Sequence, residues 1–149
     1  EAIDKTLQID TIGARGDAIT EALDGPIYVP FGLPGEEVRA RIAGHRAEIS
    51  EILSASPERQ APVCQHFGRC GGCQLQHWQE APYLAWKREQ VVEALARRGL
   101  GGAVVDDTIA AWGAGRRRAA FHVARERGKV RDRRQGPRPS RPRPPRDEH

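Results

Sequence analysis

The pattern of this sequence predicts an α+β fold with a small oligonucleotide-binding-type β-barrel in front, then a cysteine-rich metal loop, a helix, and an incomplete segment with a disordered tail. Three observations carry that expectation. Apolar residues alternate with polar ones through the first 54 positions, all three cysteines fall in one glycine-rich loop, and apolar spacing turns helical near residue 82.

The barrel is expected over 1–54. Leu7 and Ile9 alternate with polar neighbours, and Gly13, Gly16 and Gly25 punctuate the next stretch. Ile27-Tyr28-Val29 is a short apolar strand stopped by Pro30, and Leu33-Pro34-Gly35-Glu36 has turn chemistry. Val38, Ala40 and Ile42 alternate with Arg39, Arg41 and Ala43, so one face points inward. Ile49, Ile52 and Leu53 complete the apolar set, giving four or five short strands.

The second unit is expected over 55–100, a loop with the cysteine cluster followed by a helix over 82–98. Pro82 suits a first helical turn, Leu84, Val91, Val92 and Leu95 recur near helical spacing, and Gly99 supplies the stop. Residues 101–124 read as the start of a truncated central region, with 119–123 a possible strand. The last stretch, 125–149, holds nine Arg and five Pro with almost nothing to bury, and is expected to be disordered. It reads either as an Arg-rich RNA-binding arm or as the product of a lost reading frame near 124–130, and the abrupt change of composition favours the second. The chain opens at Glu1 and contains no Met, which points to a fragment or a processed chain.

Composition narrows the function classes. Hydrophobic residues make up 38%, which favours small cores joined by loops. No apolar run approaches a membrane span and no signal pattern opens the chain, so a cytoplasmic protein without membrane attachment is expected. The formal charge of +4 is unevenly spread: residues 1–63 carry −5, 64–124 carry +3 and 125–149 carry +6. A basic balance usually signals a nucleic-acid partner, but here the tail supplies more than the whole excess.

Cys64-x5-Cys70-Gly71-Gly72-Cys73 is the strongest chemical signal. Three cysteines within ten residues can converge on one centre, and the two glycines permit the tight path between the last two. An odd count in a reducing compartment favours metal over disulfides. Zinc would find a fourth ligand in His77, four residues after Cys73, whereas a 4Fe-4S cluster normally takes four thiolates and the chain has three. Spacing alone leaves both metals open. Further on, Trp112-Gly113-x-Gly115 leads into Arg116, Arg117 and Arg118, three cations able to neutralise phosphates and stack on bases.

Several of these segments together resemble the signature region of bacterial class I S-adenosylmethionine-dependent RNA uracil-5-methyltransferases. They are Ser56-Pro57-Glu58-Arg59, Pro62-x-Cys64, His66-Phe67-Gly68-x-Cys70-Gly71-Gly72-Cys73-Gln74-Leu75-Gln76-His77 and Tyr83-x-x-Trp86-Lys87. Upstream, Gly13-x-x-Gly16-Asp17, Val29-Pro30 and Leu33-Pro34-Gly35-Glu36 resemble that family's TRAM domain, a small RNA-binding barrel. The resemblance covers roughly residues 5–124. It implies Cys64, Cys70 and Cys73 as ligands of a 4Fe-4S cluster whose fourth ligand lies far downstream in the family and is missing here. It implies RNA, ribosomal or transfer, as partner, with Arg116, Arg117 and Arg118 at the start of substrate contacts. The family adds a cysteine thiolate to uracil C6, after which C5 takes the methyl group of S-adenosylmethionine. The resemblance places that nucleophile, the base and the cofactor fold in a C-terminal domain. No catalytic residue and no S-adenosylmethionine-binding residue is therefore assigned within this chain. The expected function is the N-terminal RNA-binding and iron–sulfur portion of such an enzyme, inactive alone. The alternative is a stand-alone zinc-knuckle RNA-binding module, and a third reading is the nonfunctional product of a damaged gene.

Overall fold

A computed structural model describes residues 2–69 and 72–110, together with the backbone of 123–126 and 129–132. Six strands occupy the front: β1 (Ile3–Gln8), β2 (Thr11–Ile12), β3 (Ala18–Ala22), β4 (Gly25–Val29), β5 (Glu37–Ala43) and β6 (Arg46–Ser54). They form one mixed sheet in the order β1-β5-β6-β4-β3-β2, antiparallel except for a short parallel contact of β4 with β6. The two ends of this order, β1 and β2, are halves of one segment that bends at Ile9-Asp10. Before the bend, β1 pairs with β5; after it, β2 pairs with β3. At the bend itself the Ile9 amide donates to the Glu36 carbonyl, and the Asp10 amide to the Ile19 carbonyl. The pairing thus changes partner without a break, and the sheet curls around its core as a half-barrel.

The alternation in the sequence is the alternation in the core. Val38 and Ala40 on β5 face inward, as do Ala47, Ile49 and Ile52 on β6. Ile49 and Ile52 are three apart, which a regular strand could not place on one face. The register shifts twice, because Val38 pairs with Ile52 while Ala40 pairs with Ile49 and Glu37 with Ser54. Ser50 and Leu53 are each left over as a bulge. The Ser50 hydroxyl donates to the Arg39 carbonyl. Leu53, expected in the apolar set, is instead turned toward solvent. The bulge is the reason.

Behind the sheet, α1 (Glu80–Ala96) starts two residues earlier than the apolar spacing indicates, with Pro82 inside the first turn. It closes over Gly99 at φ 76, where the Gly99 amide donates to the Ala96 carbonyl and the Leu100 amide reaches back to Leu95. No residue of α1 is fully buried, but Tyr83 and Trp86 pack against the barrel core. Two more strands, β7 (Val123–Glu126) and β8 (Lys129–Asp132), pair as an antiparallel hairpin. Arg125, Glu126 and 129–132, at the start of the stretch expected to be disordered, fall in this hairpin. Val123 and Val130 suit extended backbone, and hairpin hydrogen bonds need no core, although such a pair is marginal alone. The rest of the tail, and the proposed strand at 119–122, lie outside the described residues. Among the described residues no helix is long and apolar enough to cross a membrane.

The turn before β5 is locked to the segment after β6 by one ion pair. Arg59 Nε donates to Glu36 Oε1 at 2.5 Å and its Nη2 to Glu36 Oε2 at 2.7 Å, with Glu36 fully buried. Arg59→Ala would strand that carboxylate, so we expect a loss of about 3–5 kcal/mol of stability in urea denaturation. Arg41→Ala, which removes a 3.4 Å pair to Asp4 between two exposed side chains, should cost about 1 kcal/mol or less.

Candidate functional site

The cysteine loop stands on a two-stranded stalk. Its outgoing arm, 58–64, runs beside its returning arm, 74–79, and Arg59 bridges Trp78. Two glutamines fasten the arms. The Gln60 amide nitrogen donates to the His77 carbonyl, and its Nε2 reaches the carbonyls of Gln76 and Trp78. In return the Cys64 amide donates to Gln76 Oε1 at 3.1 Å. The first cysteine is thereby tied to the strand that leaves the last one. Side-chain amides suit this position because each can bond to backbone on both sides.

Cys64 and Cys73 are half-buried free thiols at the two ends of the loop. Cys70 and Gly71 lie outside the described residues, as do Arg116, Arg117 and Arg118. Among the described residues no three metal-binding side chains come together. The donor chemistry nevertheless fits a thiophilic metal, since the stalk fixes both ends of a ten-residue loop that carries three soft sulfur ligands.

His77 has a different environment from that of an exposed ligand. It is 2% exposed, and its ring lies against Phe67 and Phe31, with centroids 5.4 and 6.1 Å away. Burial, and then the charge of Arg59, push its pKa from 6.5 down to about 3, while the nearby Gly32 backbone pulls weakly the other way. Both ring nitrogens lack a hydrogen-bond partner among the described residues. His77 thus packs as a neutral core side chain under the loop. Phe31 holds a positive φ of 66°, unfavourable for a bulky residue, and the Arg59 guanidinium holds its carbonyl at 2.7 Å.

Trp78 links the stalk to the helix. Its Nε1 donates to Glu58 Oε2, and its ring lies 6.0 Å from Trp86, which in turn lies 6.2 Å from Tyr83. Lys87 Nζ sits 5.3 Å from the Trp86 ring centre and 5.7 Å from that of Tyr83. Beside this cluster a groove opens between the Ala14–Gly16 turn, the returning arm of the stalk, α1 and Thr108.

Over 124 residues the chain is 53% identical to an uncharacterized RNA methyltransferase of Caulobacter vibrioides, a match covering 83% of this chain and 29% of that protein. It is 55% identical over 94 residues to an uncharacterized RNA methyltransferase of Brucella suis, covering 63% of this chain and 23% of that one. The chain is thus similar to the N-terminal part of proteins named as RNA methyltransferases. A further relative, at 37% identity over 122 residues, is the 23S rRNA (uracil(1939)-C(5))-methyltransferase RlmD of Halomonas elongata, of which 25% is covered. The chain spans less than a third of the length of these relatives, and the matched part is N-terminal. No protein-family model matches it.

Two features of this segment escaped the sequence. The Glu36–Arg59 pair joins two motifs that were both visible, but nothing in one sequence says that they touch. The groove is assembled from four separate stretches, and nothing in one sequence says that they meet.

The buried neutral His77 has a consequence for pH. Its folded pKa lies below its unfolded one, so the unfolded chain binds the extra proton and stability falls as pH drops from about 6.5 toward 3. The slope should approach about 1.4 kcal/mol per pH unit for this one group. Denaturation midpoints at pH 7, 6 and 5 measure it. His77→Phe should flatten the dependence; an equally steep fall in that variant would refute the assignment.

Proposed function

We propose that this segment is the RNA-binding and iron–sulfur portion of a class I S-adenosylmethionine-dependent RNA uracil-5-methyltransferase. The observation that carries the proposal is the cysteine loop on a stalk locked to the barrel, in a chain whose relatives include a named uracil-C5 methyltransferase of ribosomal RNA. Cys64, Cys70 and Cys73 are the proposed ligands of a 4Fe-4S cluster, with the fourth position taken from outside these three. The six-stranded front is read as a TRAM barrel that grips RNA, ribosomal or transfer. Arg116, Arg117 and Arg118 are proposed to add phosphate contacts. The cluster would supply a rigid cross-link of the loop. The chain's own residues hold the ends of that loop through Gln60, Gln76 and the Arg59–Glu36 pair.

Methyl transfer, and binding of S-adenosylmethionine, are assigned to the part of the relatives' length that this segment does not span. Residues 1–149 alone are expected to neither bind S-adenosylmethionine tightly nor methylate RNA.

Anaerobic reconstitution with iron and sulfide, followed by iron, sulfide and zinc analysis, tests the metal. Wild type should take up iron and sulfide together, and Cys64→Ser and Cys73→Ser should each lose most of both. His77→Phe, which keeps the aromatic packing, should leave the cluster largely assembled. Stoichiometric zinc without sulfide, lost in His77→Phe, would replace this reading with the zinc-knuckle module.

A further inference from the structure

The groove beside the cysteine loop has the chemistry of a binding site. Its volume is about 590 Å³, within the ~300–1,000 Å³ typical of ligand pockets. Among the described residues both charged side chains on its walls are cations, Arg15 from the β2–β3 turn and Lys87 from α1, and no carboxylate lines it. Among the described residues neither forms an ion pair. The aromatic pair Tyr83 and Trp86 faces the same space, and Gln74 adds an exposed side-chain amide. Cations that lack an ion-pair partner among the described residues, with Lys87 lying over the Tyr83 and Trp86 rings, are suited to a ligand that alternates negative charge with flat apolar surface. A single nucleic-acid strand has that alternation, and a peptide in general does not.

The walls are built to meet. Gly16 sits at φ 87°, where a side chain is strained, and a Cβ there would lie 3.3 Å from Gln74 Oε1 and 3.5 Å from Leu75 Cδ1. The barrel turn thus meets the stalk at a glycine whose backbone conformation would strain any side chain. On the far side, Thr108 Oγ1 donates to the Leu84 carbonyl, and Arg88 holds the Val105 carbonyl, so the following segment is pinned along α1. A space bounded by four pinned segments admits a single strand with splayed bases, whereas duplex RNA is gripped across its outer surface.

We propose that this groove is a subsite for single-stranded RNA, with Arg15 and Lys87 on phosphates and the Tyr83–Trp86 pair against a base. The proposal rests on the RNA-binding reading above and adds where one stretch of the strand lies. It assigns contacts to residues distinct from Arg116, Arg117 and Arg118.

Fluorescence anisotropy with a labelled, unstructured oligoribonucleotide of uridine and adenosine tests it on the 149-residue chain. Arg15→Gln and Lys87→Gln alter exposed side chains and should each weaken binding on the order of three- to tenfold near 0.1 M salt. Each should also reduce the slope of log affinity against log salt by about 0.7, the single-strand value per phosphate. Ala14→Trp narrows the groove without changing charge and should weaken binding while leaving the slope nearly unaltered. Lys5→Gln, an exposed lysine on β1 away from the groove, controls for the loss of net charge and should bind like wild type. Circular dichroism melts establish that each variant is folded. If wild type binds and the three groove variants bind as Lys5→Gln does, the subsite is wrong while the RNA reading stands. If wild type fails to bind even at low salt, the RNA reading falls, and the subsite with it.

Discussion

A carboxylate shut off from water is tolerated only when its charge is answered in place, and Glu36 is answered from three sides. Arg59 grips both its oxygens, while the amides of Leu33 and Ser56 donate to one oxygen each. Four donors around one carboxylate satisfy most of its lone pairs, which is the condition under which a buried pair holds. Because Leu33 belongs to the turn before β5 and Ser56 follows β6, the same carboxylate fixes where the chain leaves the barrel. Arg59 then extends the constraint to Phe31, whose strained backbone puts its ring against His77. Barrel exit, stalk and aromatic cluster all hang on this one pair.

The parts of the fold that depend on local alternation were readable in the sequence. Val38, Ala40 and Ile49 fell where period two puts them, and Pro82 and Gly99 marked the helix to within two residues. What failed was local in a different sense. Leu53 looked like a core residue because a bulge has no signature in hydrophobicity, and two bulges in β6 shift the inward face past it. The bend at Ile9-Asp10 was hidden for the same reason: it joins two half-strands, and only their partners reveal that one segment serves both ends of the sheet.

The site was legible in its elements and illegible in its geometry. The spacing of Cys64, Cys70 and Cys73 pointed to a metal without any structure, because the chemistry lies in residue type and proximity along the chain. His77 stood four residues from Cys73 and looked equally available. Its burial arises from Phe31 and Phe67, far apart in the chain, and no periodicity could bring them together. A histidine whose ring nitrogens lack partners among the described residues would cost far more charged than neutral, and burial beside Arg59 keeps it neutral. Its position under the loop makes packing and metal chemistry hard to separate with an alanine, which is why an aromatic replacement is the more informative change.

The loop and the groove are physically one object. Cys73 and Gln74 are adjacent, and both stand on the groove wall, so any constraint on the end of the loop also constrains that wall. A flexible wall would have to be ordered each time a strand entered, at a conformational cost on the order of 1–2 kcal/mol per residue fixed. A metal held by the cysteines would meet that cost beforehand, and the RNA would then bind a surface already in place. Linkage makes the relation reciprocal, so a strand in the groove would favour metal retention by the same factor. Under the proposed reading, the cysteine cluster would serve the groove by fixing its wall before a strand arrives.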